Sequence, residues 1–528
     1  MKSKWFWLIC VLLSAYFCLF SVQKINFLTA DIGRHIKNGE IFLHSDEFGI
    51  SKQELLHTNL FSYTNPKFPF INHHWGSGVL AYLIFSLAGF SGLSLVYVIL
   101  LLLALIFSLK ISKETIENDS PLPIVFLVSF FLVPLIADRM EVRPEAVSYF
   151  FISLFIFILY QFSKDRLSYK FLFILPFVEL FWSNLHIYFI FGLFIVGIFL
   201  FESLLRLNLE KFKKLGMILG LSAIATLLTP YGFAGAIYPF TIFQNYGYLV
   251  VENQSITFLE KLSFTNPSFL WYKITLFFVL ISSLLVLWKK RDKFPIALSI
   301  ISLTFAVLAF LGIRHMTVFA LVSLPLLVYN FSVIWTLVRE KIPRDAVIIC
   351  YSVVIFFILI STLSHFSSRL AWNRNWGLGL LPHSFDSSLF IKENNIEGPV
   401  FNNYDIGGNI IYNFFPQKSS SISKQIKVFV DNRPEAYPKD FLQNTYIPMQ
   451  ENSAIWKKVD NQYNFNIIYF YRLDMTPWSQ NFLLTRIDDP EWAPVYVDAQ
   501  TIIFLKRNDK NKKMILQYEL PRSMFTQK

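Results

Sequence analysis

The chain has 528 residues, of which 54% are hydrophobic and 16% are charged, and its mean hydropathy is +0.47. Soluble globular proteins carry about 25% charged residues, so this composition excludes an ordinary soluble enzyme. The 58 phenylalanines exclude a disordered chain. The net charge of +11 does not imply nucleic-acid binding, because half of the basic residues before position 363 fall in loops predicted to anchor a membrane protein.

Apolar segments close to the roughly 20 residues that cross a bilayer recur through the first two thirds of the chain. They predict about eleven membrane-spanning helices, at residues 5–28, 92–110, 122–137, 146–162, 170–184, 186–205, 213–229, 268–288, 294–311, 316–337 and 345–363. The first segment has a basic start but no small-residue cleavage site, which favours a retained anchor over a signal peptide.

The apolar stretch 76–88 decides the predicted topology. It is short and is followed by Gly89 and Gly92, so we interpret it as a helix in the outer leaflet that does not cross. With this assignment the more basic loops and the amino terminus share one side, which the positive-inside rule makes cytoplasmic. The sequence thus predicts a multi-pass protein of the plasma (inner) membrane whose carboxyl-terminal part is extracytoplasmic.

After about residue 364 the composition becomes polar, and strand-like runs occur at 399–403, 427–432 and 465–472, with a hairpin pattern at 493–507. The predicted fold is an all-α polytopic membrane domain (1–363), with juxtamembrane helices in a large first extracytoplasmic loop. A soluble α/β domain (364–528) follows it.

Polar clusters collect at the predicted outer ends of the spans, which favours a binding or catalytic site built from several loops. Their residues are Asp31, Arg34, His35, His73, His74, Trp75, Asp138, Arg139, Arg143, Glu145, Asn184, His186, Tyr231, Arg314 and His315. Asp31 directly follows the first span, where partial desolvation raises a carboxyl pKa and suits a general base. The alternative is an N-cap of the next helix.

Arg139, Arg143 and Arg314 lie on the outer side, where cations do not serve as cytoplasmic anchors. The guanidinium fork fits phosphate oxygens, so these residues are candidates to hold the head group of a phosphorylated lipid. The alternative is internal ion pairing, of Arg143 with Glu141 or Glu145 and of Arg139 with Asp138.

The four outer histidines lack the spacing of a metal site. His73 and His74 are therefore better candidates for hydrogen bonds to a substrate, whereas His186 after Asn184 fits a structural hydrogen bond at a helix turn. Glu179 lies within a predicted span, where it is a functional candidate, a member of an ion pair or a protonated core residue. The Gly407-Gly408 pair after Asp405 fits an ordinary turn or an anion-binding helix start, and Tyr231 with Gly232 fits helix termination.

Several motifs in order along the chain resemble bacterial membrane glycosyltransferases of the GT-C superfamily, which includes dolichyl-phosphate-mannose protein mannosyltransferases and lipid A aminoarabinose transferases. They are an Asp after the first span, FSYT and PFINHHW before the next hydrophobic block, then RPE, SNLH and TPYG at successive outer ends. The tail FNNYDIGGNIIYNFFPQ with KVFVDNRPEAYP resembles the soluble domain of some members.

The resemblance implies a polyprenyl-phosphate sugar as donor, a glycan, lipid or protein as acceptor, and inversion at the anomeric carbon. It implies that Asp31 acts as the base or positions the acceptor, although members often have Asp-Glu where this chain has Asp31-Ile32. A second acid of the family maps onto Asp138 or Glu141, and we favour Asp138. No cofactor is required, and a divalent metal is compatible with the superfamily.

Two other classes of function are weighed. A transporter or flippase of lipid-linked saccharides would have mid-membrane polar residues in two related halves, and the sequence offers Glu179 but no halves. A scaffold protein would not need Asp, Arg and His at several separate span ends. Glycosyl transfer is therefore the predicted function.

Overall fold

The computed structural model describes residues 2–116, 122–139, 141–340, 376–416 and 426–525, with isolated positions between 341 and 375. The chain forms two compact units. The first, here the helical unit, comprises Met1–Lys24, Ser94–Ala236 and Leu249–Leu378; the second, here the sheet unit, comprises Ile25–Leu93, Ile237–Tyr248 and Gly379–Lys528. The units are drawn differently from the predicted domains 1–363 and 364–528, because residues 25–93 group with the carboxyl-terminal part.

The helical unit follows the predicted apolar segments closely. Its longer helices are Lys2–Ser21, Pro123–Ile136, Glu145–Ser163, Ile174–Leu185, Ile190–Leu205, Leu209–Thr226, Ser268–Lys289, Ile296–Leu311 and Met316–Val338. Shorter elements at their ends are Tyr169–Phe173, Ile187–Phe189, Val251–Asn253, Ile256–Lys261, Arg291–Lys293 and Ile313–His315. The predicted span 345–363 lies outside the described residues apart from isolated positions.

Six helices of the described residues are long and apolar enough to cross a membrane: Lys4–Ser21, Trp75–Thr115, Glu145–Ser163, Ile187–Leu205, Pro267–Lys289 and Ile313–Val338. Large apolar side chains such as Phe177, Leu284 and Val307 point outward from their helices. Such outward apolar faces would be unfavourable in water and suit a lipid environment. The chain is a multi-pass membrane protein.

Met316–Val338 is buried along most of its length and packs against Pro123–Ile136, Ser268–Lys289 and Ile296–Leu311. Small polar side chains form hydrogen bonds to this helix: Ser302 Oγ of Ile296–Leu311 donates to the Val322 carbonyl at 3.1 Å, and Ser108 Oγ of Trp75–Thr115 donates to the Leu321 carbonyl at 3.0 Å. Interhelical hydrogen bonds of this type hold membrane helices together where water cannot drive association.

The stretch 76–88 belongs to a helix, Trp75–Thr115, with a break at Gly89. Gly89 has φ 62° and ψ −161°, outside the helical region, and glycine adopts such a conformation at little steric cost. In the part before the break, Gly78 approaches helix Ile32–Leu43 so closely that a Cβ at Gly39 would lie 2.1 Å from the Gly78 carbonyl oxygen.

The sheet unit contains four strands, β1 (Val400–Asn402), β2 (Ile467–Tyr471), β3 (Trp492–Val497) and β4 (Thr501–Lys506). Their order is β1-β2-β4-β3, with β1 parallel to β2 and the other pairs antiparallel. The predicted hairpin is β3 and β4, and β1 and β2 match predicted runs. The run 427–432 was wrong as a strand: Val428 makes only an isolated bridge, to Ser62.

Helices surround the sheet. They are Ile32–Leu43, Ser45–Phe48, Lys52–His57, Asp386–Glu393, Gly407–Phe414, Lys439–Phe441, Pro448–Glu451, Ser453–Tyr463, Pro477–Asp488 and Lys512–Tyr518, with the turns Tyr404–Ile406, Leu442–Tyr446, Pro434–Ala436 and Arg522–Met524. Gly232–Thr241, followed by Ile242–Asn245, begins in the helical unit and ends in the sheet unit.

One hydrophobic core joins the first loop to the carboxyl-terminal part. Leu28, Ile41 and Phe61 from the loop pack with Val400 and Ile467 of the sheet. The first loop contains helices, as predicted, and their apolar side chains pack with those of the sheet. Asp31 therefore precedes a helix that a hydrophobic core holds in place.

Candidate functional site

An arginine–glutamate cluster, Arg139, Arg143, Glu145, Glu252 and Arg314, occupies the helix ends of the helical unit. Arg139 Nη2 lies 2.9 Å from Glu145 Oε2 and 3.0 Å from Glu252 Oε2, and Arg143 Nη1 lies 2.7 Å from the same Glu252 oxygen. Arg314 Nη2 donates to Glu145 Oε1 at 2.8 Å. The cluster gathers predicted site residues from loops far apart in the chain.

The cations of this cluster are paired with carboxylates. Arg143 Nε also lies 2.7 Å from Glu141 Oε2, one of the predicted internal pairs, whereas Arg139 pairs with Glu145 and Glu252 rather than with Asp138. Burial would raise the pKa of the Glu252 carboxyl, but the three arginines hold that pKa well below its usual range. The contacts are those of an internal ion network, and a phosphate role for these arginines stays a prediction.

Aromatic rings line one side of the cluster. The Arg314 guanidinium carbon lies 5.2 Å from the centroid of Tyr188, and the His315 ring stacks on Tyr188 at 5.3 Å. Arg314 Nε and His315 Nδ1 are buried without a hydrogen-bond partner among the described residues.

Asp138, the predicted second acid, lies at the start of helix Ser268–Lys289. Its Oδ1 accepts hydrogen bonds from Ser268 Oγ at 2.5 Å and from Asn266 Nδ2 at 3.5 Å. These contacts fix a helix start, and a catalytic role for Asp138 stays a prediction.

The SNLH and TPYG residues make local contacts. His186 Nδ1 is 2.8 Å from Ser148 Oγ and accepts the Tyr188 N–H at 3.4 Å, which is the hydrogen bond at a helix turn that the sequence offered as an alternative. Asn184 Nδ2 donates to the Leu180 carbonyl at 2.8 Å. The Tyr231 N–H donates to Thr229 Oγ1 at 3.3 Å within the turn before Gly232–Thr241. A substrate role for these residues also stays a prediction.

Asp31 lies in the sheet unit, at the N-cap position of helix Ile32–Leu43, but its side chain does not cap that helix. Its Oδ1 instead accepts a short hydrogen bond from Asn432 Nδ2. The Asn432 Oδ1 in turn accepts from Arg34 Nε at 3.4 Å. We call Asp31, Arg34 and Asn432 the Asp31 site.

Arg34 is 3% exposed, and among the described residues it forms no ion pair with a carboxylate. Burial lowers the pKa of Arg34, and the nearby Asp31 charge only partly offsets that effect. A buried guanidinium without a bound anion is costly. Its terminal N–H groups are therefore suited to bind an anionic group.

A buried ion pair supports Asn432 from behind. The Asp431 carboxylate accepts hydrogen bonds from Arg433 Nε at 2.8 Å, Arg433 Nη2 at 2.6 Å and Tyr437 Oη at 3.1 Å. Arg433 also donates to Asn59 Oδ1 at 2.7 Å and lies over Phe70. Because its hydrogen bonds are satisfied, the Asp431–Arg433 pair holds the backbone on both sides of Asn432 in place.

The Gly407-Gly408 pair starts helix Gly407–Phe414 and allows close packing on the Asp31 segment. A Cβ at Gly408 would lie 2.9 Å from the Ala30 carbonyl oxygen, and one at Gly33 would lie 2.7 Å from the Gly408 oxygen. The pair thus serves helix packing, which neither sequence interpretation anticipated.

His35, His73 and His74 form a row of rings in the sheet unit. The His35 and His74 centroids are 5.4 Å apart, and those of His73 and His74 are 3.9 Å apart. Trp75 instead packs against Phe42 at 4.8 Å. The row places His35, one helix turn after Asp31, beside the NHHW motif, as a loop-built site requires.

In the part of the chain that the structure describes, no three His, Cys, Asp or Glu side chains are grouped to hold a metal ion. The Asp431 carboxylate is occupied by Arg433, and Asp31 binds the amide of Asn432. No step proposed below depends on a metal.

Sequence reasoning missed Asn432, Glu252 and Tyr188. Glu252 was noted only as part of a long outer loop, and Asn432 only as a letter in the DNRPE stretch. Their partners are far away in sequence: Asn432 and Asp31 differ by 401 in residue number, and Glu252 and Arg139 differ by 113. Local spacing carries no signal for such contacts.

No protein-family model matches the sequence, and no curated protein matches it significantly. Solved structures do match in fold. The Archaeoglobus fulgidus oligosaccharyltransferase tethered with an acceptor peptide matches with a TM-score of 0.59 and 13% identity, over 96% of this chain and 74% of that chain.

The same archaeal enzyme, AglB, in complex with an inhibitory peptide and a dolichol-phosphate has a TM-score of 0.57 and 12% identity, over 96% of this chain and 75% of that one. Its complex with Zn and sulfate has a TM-score of 0.57 and 12% identity, over 94% and 73%. At such identities the likeness concerns the fold. The chain shares the fold of this archaeal oligosaccharyltransferase.

Proposed function

We propose that this chain is an integral-membrane glycosyltransferase. It transfers a sugar from a polyprenyl-phosphate donor to an acceptor hydroxyl on the extracytoplasmic face. The observation that carries the proposal is the Asp31 site: a carboxylate beside a buried, unpaired guanidinium on one helix. The fold shared with an oligosaccharyltransferase that binds dolichol-phosphate and an acceptor peptide supports the same class of substrates.

In the proposed reaction Asp31 accepts the proton of the acceptor hydroxyl. The freed oxygen attacks the anomeric carbon while the bond from that carbon to the phosphate oxygen breaks, so the configuration inverts. The lipid phosphate leaves already ionised and needs no general acid. Arg34 stabilises the negative charge that develops on this phosphate, and its poorly hydrated setting strengthens the effect.

Arg34 takes the place of the three arginines that the sequence favoured as ligands of the lipid phosphate. Arg34 has free donor capacity, whereas Arg139, Arg143 and Arg314 are engaged by Glu145 and Glu252. Those three arginines remain the alternative phosphate ligands. His73 and His74, in the ring row with His35, are proposed contacts of the sugar or acceptor.

The test uses the full-length protein in membranes or detergent with a panel of polyprenyl-phosphate sugars and hydroxyl-bearing glycan, lipid and peptide acceptors. We expect one donor to be consumed, and Asp31→Asn to lower the transfer rate by about 10²–10⁴-fold. Because Asn can still bond to Asn432, the variant should fold and accumulate normally. Wild-type rates in Asp31→Asn would remove this residue from the mechanism.

A donor that crosses the membrane of proteoliposomes without sugar transfer would instead support the flippase class.

A further inference from the structure

Asn432 stands between the proposed base and the proposed phosphate ligand. Its Nδ2 donates to Asp31 and its Oδ1 accepts from Arg34. A side-chain amide can donate to a carboxylate and accept from a guanidinium at the same time. Asp31 and Arg34 are three residues apart at the start of one helix, a spacing at which oppositely charged side chains pair directly.

A direct ion pair would block the proposed chemistry. It would occupy the carboxylate oxygen that has to receive a proton and the N–H groups that have to bind phosphate. The amide between the two side chains gives each of them a neutral partner in place of the other.

The segment around Asn432 is rigid enough to act as such a spacer. Asp431 and Arg433 on either side are 0% and 3% exposed and bind each other through two hydrogen bonds. A Cβ at Gly407 would lie 2.6 Å from the Asp431 Cα, so helix Gly407–Phe414 presses on the same backbone. Asn432 is thus held from two sides.

Other charged or titratable groups act on this pair from each neighbouring element. The Glu435 charge, on the turn Pro434–Ala436, acts on Arg34, as do Asp431 and Arg433. The charges of Glu435 and Asp31 also act on the Tyr404 hydroxyl, on the turn Tyr404–Ile406. These groups are common to every variant considered below.

We propose that Asn432 is a positioning residue of the active site, which separates Asp31 from Arg34 and orients both toward the substrates. The inference rests on the proposed transferase function and assigns to that site a residue from the carboxyl-terminal part of the chain. Asn432 acts through Asp31 and Arg34 and not on the reacting atoms.

The experiment measures kcat, donor KM and the pH dependence of kcat/KM for sugar transfer. The proteins are the full-length wild type and the variants Asn432→Asp and Asn432→Ala. Asn432→Asp keeps the shape and the acceptor for Arg34, but loses the donor to Asp31 and adds a second carboxylate. We expect its acidic limb to move up by about one pH unit or more, and its donor KM to rise, because the new carboxylate pairs with Arg34 and the donor phosphate has to displace it.

Asn432→Ala removes the spacer and allows Asp31 and Arg34 to pair. We expect donor KM to rise by about tenfold, together with a fall in kcat. The matched control is Asn466→Asp, because Asn466 is an amide of the sheet unit that is buried and directly precedes β2, at the end of the parallel strands β1 and β2 opposite to residues 403–406. Its pH profile should match that of the wild type.

The inference is overturned if Asn432→Asp keeps the wild-type acidic limb, or if Asn432→Ala keeps the wild-type donor KM, since a merely structural residue would lower the amount of active protein without moving either. Should Asn432→Asp not accumulate, the donor KM of Asn432→Ala decides. An inactive wild type with every donor rejects the proposed function; an active wild type with unmoved variants rejects the role of Asn432 alone.

Discussion

The arginine–glutamate cluster and the Asp31 site contain the same kinds of ions but pair them differently. In the first, Arg139, Arg143 and Arg314 bind Glu145 and Glu252 through short contacts. In the second, Arg34 has one hydrogen bond, to a neutral amide, and no carboxylate partner among the described residues. The first resembles a structural ion network and the second a site prepared for an anion.

The difference shows why residue type alone is weak evidence of function. All four arginines fit a phosphate ligand by type. A cation that already has carboxylate partners has to lose them before it binds phosphate, whereas an unpaired buried cation becomes more favourable when an anion arrives. Substitutions in the arginine–glutamate cluster and in the Asp31 site therefore distinguish a structural ion network from an anion-binding site.

Among the variants that compare these two regions, Arg34→Ala should give the largest effect. Losing one preorganised donor at a developing charge lowers catalysis by about 10²–10³-fold, and Arg34→Lys should not restore it, because an ammonium lacks the guanidinium fork. Initial rates of sugar transfer at saturating donor measure both. A smaller loss than that of Arg143→Ala would move the phosphate site to the arginine–glutamate cluster.

Glu252→Gln tests the first cluster as a structural network. It leaves Arg139 and Arg143 without their shared carboxylate, and we expect a loss of stability of about 3 kcal/mol. The pKa of Glu252 is lowered in the folded state, so its stabilising contribution is present above the ordinary carboxyl pKa and is lost as the pH falls below it.

Thermal unfolding in detergent from pH 7 to pH 3 measures this dependence, which should be weaker in Glu252→Gln than in the wild type. The control is Glu260→Gln, because Glu260 pairs with Lys273 at the surface and such a pair contributes about 0–1 kcal/mol. Equal losses in the two variants would contradict a structural network at Glu252.

Gly408→Ala tests how the Asp31 site is held. The added methyl would lie 2.9 Å from the Ala30 carbonyl oxygen, directly before Asp31, and overpacking of this kind destabilises by about 1–3 kcal/mol. Unfolding temperature and transfer rate should both fall. Gly197→Ala is the control, since a Cβ there meets nothing within 4 Å; an equal fall in both variants would exclude close packing as the cause.

Asp138→Ala should have the smallest effect. Loss of the hydrogen bonds to Ser268 and Asn266 at a helix start costs about 1 kcal/mol, and transfer should decrease by less than about tenfold. Thermal unfolding and initial rates measure the two effects. A decrease as large as that of Asp31→Asn would restore Asp138 as the second catalytic acid that the resemblance implies.

The sequence predicted most of the helices because apolar length is a local property. Predicted spans such as 122–137 and 268–288 match Pro123–Ile136 and Ser268–Lys289. The strand predicted at 427–432 is wrong because a short apolar run carries no information about its pairing partners. Val428 meets only Ser62 of the first loop, so no extended ladder forms.

Two residues of the Asp31 site, Asp31 and Arg34, were predictable as site residues. The position of Asp31 after the first span, and Arg34 one turn later, follow from the sequence and the resemblance. Their link through Asn432 was not predictable, and neither was the pairing of Arg139 with Glu252, because both contacts depend on how distant segments fold together. The unpaired state of Arg34 is a property of the tertiary structure, which residue spacing does not encode.

The shared core of the sheet unit has a consequence for biosynthesis. Leu28, Ile41 and Phe61 leave the ribosome long before Val400 and Ile467, against which they pack. The apolar side chains of the first loop therefore stay without their packing partners until the ribosome has synthesised most of the last third of the chain. Such a delay exposes a nascent chain to aggregation, so a truncation before β2 would leave the segment that carries Asp31 without its folding partner.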